Sequence, residues 1–246
     1  MNGVEMNLKK ALSTCCVAAA VTGLLGCAAP LPVGPGGTAS GEPGGLPSSY
    51  ARLAAAGGRV IALDAAASTV RVYVFRGGRA AKVAHNHVLS APVLSGFVLL
   101  SPDGAAAERF DLEFRLDQLQ FDDPALRAAL GPAYASVISR EAIERTRQNM
   151  LGNDNMQADR FPLVRVHSVE IVGEAPRLAA KVQFEMHGQT REFWVPLVVE
   201  GLPERLSVSG AVVLRQTDFG VVPFSLLGGL IAVKDEVVVE FKLIGA

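Results

Sequence analysis

Val83 to Pro92 reads VAHNHVLSAP and sets two of the chain's four histidines two residues apart, His85 and His87. Imidazole can ligate a metal, move a proton near neutral pH or orient a polar ligand. On a β-strand, side chains i and i+2 point to one face, so both rings could reach one metal or one ligand. Two nitrogens are only half of a tetrahedral zinc site, and the rest would have to come from distant carboxylates, His167 or His187. The flanks Val83, Ala84, Val88 and Leu89 are apolar, which implies partial burial and a partner for each ring nitrogen. The expectation is a polar contact that orients a ligand head or a neighbouring helix near the mouth of the domain. A metal or haem site on His85 and His87 is the alternative.

Other chemistry is thin. The nuclease signature spelled HNH has widely spaced residues, so the contiguous His85-Asn86-His87 does not match it, and the net charge of −1 offers nucleic acid no foothold. Asp218-Phe219-Gly220 has no phosphate loop or lysine strand to make it a kinase element, and there is no G-x-S-x-G. His167 alternates with Val164, Val166 and Ser168 and is expected on the outer face. His187-Gly188 falls where a hairpin turn is expected. The sequence shows no enzyme.

The elements that position these residues begin after a leader. Lys9 and Lys10 precede the uncharged run Ala11 to Leu25, which has the length of a secretory h-region. It ends in Leu24-Leu25-Gly26-Cys27, a pattern that resembles a bacterial lipobox. Residues 1–26 are therefore expected to be a lipoprotein signal peptide, with Cys27 the lipidated residue and membrane anchor. Loss of Glu5, Lys9 and Lys10 with the leader takes the formal charge from −1 to −2. Cys15, Cys16 and Cys27 are the only cysteines, so the remainder has neither a disulfide nor a thiolate ligand. Residues 27–58, rich in Gly, Pro and Ser up to about Ser49, are read as a tether. Ala28 after the cysteine points, by the lipoprotein sorting rule, to the outer membrane facing the periplasm.

Residues 59–246 form the folded domain. FDLEFRLDQL places Phe110, Leu112, Phe114 and Leu116 on one face, and RLAAKVQFEM, RLSVSGAVVL and EVVVEFKL repeat the pattern. So many alternating strands predict an antiparallel β-barrel, all-β apart from a short helical insertion. The insertion carries Asp123 as a cap before Pro124, Gly131 as a stop, and Ser139 as a cap for a second helix reaching Gly152. Val221 to Val233, VVPFSLLGGLIAV, has twelve nonpolar residues of thirteen. It reads as a buried strand or as an apolar portal, and it supplies Phe224 and Leu227 as candidate ligand contacts. Asn149, Met150 and Phe161 are the candidates from the insertion.

Arg59 to Ala246 resembles the YceI-like family. The resemblance rests on Leu63-Asp64 with Ser68, Phe161-Pro162 before Val164, Val166 and Ser168, then Met186-His187-Gly188-Gln189-Thr190 and Thr217-Asp218-Phe219-Gly220. His85-Asn86-His87, with Arg147, Asn149, Met150 and Leu151, is similar to a less typical branch, although Ala84 replaces that branch's first Gly. The resemblance implies a lipocalin-like barrel holding an isoprenoid or other apolar lipid, a quinone among the possibilities, with no other cofactor. A barrel filled by its own side chains and serving envelope assembly is the competing expectation.

Overall fold

Alternating apolar and polar residues become strands because each pleat turns successive side chains to opposite faces. The computed structural model describes residues 45–202 and 204–245. Among these, twelve strands form one antiparallel sheet: β1 (Arg59–Ala62), β2 (Thr69–Gly77), β3 (His87–Ser90), β4 (Ser95–Leu100), β5 (Ala107–Arg115), β6 (Gln120–Phe121), β7 (Leu163–Glu174), β8 (Arg177–Met186), β9 (Gln189–Glu200), β10 (Ser207–Arg215), β11 (Ser225–Leu226) and β12 (Ile231–Ile244). Their order is β1-β4-β5-β7-β8-β9-β10-β12-β2-β3-β6, with β11 on β12. The sheet curls until the chain leaving β1 meets β12. Leu63 bridges Gly245, and the Asp64 amide donates to the Ile244 carbonyl at 2.8 Å. This is the expected antiparallel, lipocalin-like arrangement.

Local signals account for the connections. His187 and Gly188, at φ 53° and 69°, make the two-residue turn between Met186 and Gln189 that the right-handed twist of paired strands favours. Between β6 and β7 stand α2 (Pro124–Ala129) and α3 (Arg140–Leu151). Asp123 accepts from the Leu126 amide at 2.8 Å and Ser139 from the Ala142 amide at 3.2 Å, as their cap positions predict.

The inner face holds two apolar clusters that share Leu63, Val166, Phe193, Val212 and Phe241. One contains Leu89, Phe114, Phe121 and Phe219, and the other Val98, Leu100, Ala180 and Leu206. A third cluster, around Tyr73, Val88 and Tyr134, lies where α2 packs on the outer face of β2 and β3. Both faces of β2 are thus covered locally, Val70, Val72 and Val74 by one cluster and Tyr73 and Phe75 by another.

The N-terminal boundary differs from the expected one. Gly45–Ala55 forms a helix, α1, where residues up to 58 were assigned to the tether. Its Tyr50 is fully buried, stacks on Phe97 at 5.0 Å and donates to Asp111 Oδ2 at 2.6 Å. That ring and hydroxyl hold the helix against β4 and β5. The leader, Cys27 and the tether as far as residue 44 lie outside the described residues.

Candidate functional site

Inside the sheet is a cavity of about 280 Å³. That lies near the lower edge of small-molecule sites, roughly 300–1,000 Å³. Its lining is almost wholly apolar: Val98, Leu178, Leu197 and Leu206 toward one end, Val72, Leu112, Val166, Phe184 and Val212 along the wall. The polar lining gathers mainly at the other end, where β2 and β10 finish and β3 and β12 begin: His87, Thr146, Asn149, Asn155 and Gln216. Asn149 is exposed, so the cavity reaches the surface beside α3.

His87 opens β3 opposite Val74, on the face that also presents Leu89. Its Nδ1 lies 2.6 Å from Asp122 Oδ2, which fixes the ring and leaves Nε2 as the other polar atom of a cavity-lining side chain. Asp122 is fully buried at φ 48°, directly after β6. Its Oδ1 accepts from Arg127 Nη1 at 2.6 Å and from the Val88 amide at 3.1 Å. Burial raises the Asp122 pKa, but the His87 hydrogen bond and charge, the Val88 amide and Arg127 outweigh it, and the carboxyl sits below its ordinary value. Arg127, itself buried, also donates to the Asn86 carbonyl at 2.7 Å and to Ser136. One ion cluster therefore ties β3, β6 and α2 around His87.

The two histidines do not share a face. The strand begins at His87, so the period-two rule does not extend back to His85. His85 Nδ1 pairs instead with Ser136 Oγ at 2.9 Å, and its side chain is not in the cavity wall. Burial pushes its pKa down. Between them, Asn86 Oδ1 accepts the Arg76 amide at 3.0 Å, replacing the rung that β3 does not supply to β2. The triplet is thus half structural brace and half cavity lining. No group of three or more His, Cys, Asp or Glu side chains able to hold a metal occurs among the described residues.

Of the other candidates, Asn149, Met150 and Phe224 line the cavity, and Phe161 and Leu227 do not. Phe161 packs edge-on against His187 at 5.1 Å, beneath the turn at Gly188. Leu227 is 74% exposed at the tip of a loop. Arg147, next to the cavity-lining side of α3, donates to the Leu119 carbonyl at 2.8 Å and to that of Asp117, and lies over the Phe121 ring. It staples α3 to the sheet edge. His167 is on the outer face, 2.5 Å from Asp111 Oδ1, and His187 Nδ1 donates to the Phe219 carbonyl at 3.0 Å.

Sequence reasoning missed Asp122, Arg127, Ser136 and Tyr50. Asp122 could have been suspected, since Asp122-Asp123-Pro124 offers two carboxylates and a helix needs one cap. Nothing local marked Arg127 as the buried partner.

A model of the YceI-like domain matches residues 62–244. BcnA of Burkholderia cenocepacia is similar in structure, with TM-score 0.52 and 16% identity over 75% of this chain and 99% of its own. A polyisoprenoid binding domain from Saccharophagus degradans, implicated in plant cell wall breakdown, is similar at TM-score 0.50 and 16% identity, over 75% of this chain and 97% of its own. No curated protein matches the sequence.

Proposed function

The chain belongs to the YceI-like family, and we propose that it is a non-enzymatic carrier of an isoprenoid or other long apolar lipid, a quinone included, in the bacterial envelope. The observation that carries this is the apolar cavity of about 280 Å³ within a core that an assembly protein would be expected to fill. Each CH₂ taken from water contributes about 0.8 kcal/mol, so about ten carbons of an isoprenoid tail contribute roughly 8 kcal/mol before ordering costs. The polyisoprenoid-binding domain among the similar structures supports that ligand class. His87 and Asn149 meet the polar head, and Met150 and Phe224 the chain beside it. Cys27, lipidated, anchors the protein to the outer membrane on its periplasmic side.

Native Gly36–Ala246, purified and extracted for mass spectrometry, is expected to release an apolar lipid and to take up octaprenyl quinone. Extracts without lipid, together with no uptake of quinone or octaprenyl phosphate, would refute the carrier. For the anchor, Cys27→Ser is expected to abolish radioactive palmitate labelling of the full chain, and unchanged labelling would refute it.

A further inference from the structure

The loop from Val221 to Leu230 does not behave like the buried crossover its composition allows. Val221 is buried, whereas Val222, Leu226, Leu227 and Leu230 are 70%, 49%, 74% and 36% exposed. Leu227, Gly228 and Gly229 all have positive φ, so the chain turns sharply there and presents its leucines outward. Beside it the chain leaving β2 packs through the Arg79 amide to the Gly229 carbonyl at 3.2 Å and the Ala80 amide to the Leu230 carbonyl at 2.8 Å. That neighbour adds Val83, 71% exposed. Apolar side chains clustered on a surface mark an interaction site.

Charge identifies the partner. The two segments that build this patch, 79–83 and 221–230, contain Arg79 and Lys82 and no Asp or Glu, in a chain whose formal net charge is −1. Arg79 Nη2 reaches the Gly228 carbonyl at 3.4 Å, so a guanidinium sits at the loop tip, with exposed Lys82 nearby in sequence. Protruding leucines with a guanidinium at the loop tip complement a bilayer with anionic headgroups, where acyl chains take the apolar groups and phosphates the charges. The same loop enters the cavity wall through Phe224, with Val233 following it, so this surface adjoins the polar end of the cavity.

We propose that the Val221–Leu230 loop, with Arg79 and Lys82, docks the domain onto an anionic lipid bilayer independently of any N-terminal anchor. Docking brings the polar end of the cavity to the membrane surface, where an apolar ligand can pass without crossing water. The surface claim stands apart from the carrier reading, because it can be measured with vesicles alone.

Gly36–Ala246 is one compact unit that holds all three core clusters found among the described residues, and it contains no cysteine. Leu227→Cys in that fragment can therefore be labelled singly with a nitrobenzoxadiazole dye, with Val213→Cys on exposed β10 wall as control. On vesicles of phosphatidylglycerol and phosphatidylethanolamine, emission from position 227 is expected to rise several-fold and that from position 213 to stay unchanged. Arg79→Gln with Lys82→Gln is expected to weaken partitioning to these vesicles about tenfold or more, and to leave binding to neutral phosphatidylcholine unaltered. Leu226→Asp with Leu227→Asp removes binding while lipid extracted from the cavity is unchanged. Absence of vesicle binding by the unlabelled fragment, or an equal rise at position 213, overturns the proposal. A dimer abolished by the double Asp variant, without vesicle binding, would assign the patch to contact between copies instead.

Discussion

Replacing Asp122 by Ala is the sharpest perturbation of the histidine site that leaves the cavity wall chemically untouched. The carboxylate has no exposed surface and accepts from His87, Arg127 and the Val88 amide at 2.6, 2.6 and 3.1 Å. Removing one member of a buried ion pair costs about 3–5 kcal/mol, and an orphaned buried amide about 1–3 kcal/mol. These do not add, because Arg127 keeps the Asn86 carbonyl at 2.7 Å and Ser136, and water can reach part of the vacated space. The expected loss is about 4 kcal/mol, which at roughly 2–4 °C per kcal/mol lowers Tm by about 8–16 °C. Asp122→Asn tolerates the left-handed backbone and keeps one acceptor, so about 2 kcal/mol is expected. A cycle of Asp122→Asn with Arg127→Met should show coupling above about 1 kcal/mol. Urea unfolding followed by far-UV dichroism and by Trp194, the single tryptophan, reads all of these. If Asp122→Ala stays within about 1 kcal/mol of the parent at unchanged denaturant slope, the cluster does not hold β3, β6 and α2 together.

His87→Gln is expected to keep the fold and to lower retention of a prenyl ligand with an oxygen head, while His85→Gln, outside the cavity, leaves retention unchanged; competitive mass spectrometry separates them. Tyr50→Phe should cost about 1.5–3 kcal/mol through its bond to the Asp111 carboxylate, and Tyr50→Ala about 3–5 kcal/mol, in urea titrations. A Tyr50→Ala variant as stable as the parent would mean that α1 contributes nothing. Asp122 and Asp111 both have folded pKa values below the ordinary 3.8, against the pull of burial. In the unfolded chain they bind protons first, so their stabilisation is full above about pH 4 and is lost as pH falls through the folded values. Acid titration of stability should therefore be flatter below pH 4 in Asp122→Asn than in the parent.

Much of this molecule is local in origin. Phe110, Leu112, Phe114 and Leu116 alternate because a strand has period two, and Asp123, Pro124 and Ser139 start helices whatever surrounds them. Sequence therefore determined the barrel class, the helical insertion and the hairpin at His187-Gly188. It also singled out His87, Asn149, Met150 and Phe224, which the fold brings to one cavity. What it could not determine was which face a residue outside regular structure takes. His85 and His87 part company because β3 starts between them, a fact set by Asn86 capping β2 and by Arg127 reaching across 41 residues to the Asn86 carbonyl. Tyr50 became core because Phe97 and Asp111, on a distant hairpin, receive its ring and its hydroxyl. Leu227 left the cavity because three successive positive φ angles turn the loop outward. Periodicity and caps act within a few residues, whereas burial and buried charge are settled between segments far apart in the chain, and only the folded backbone brings those together.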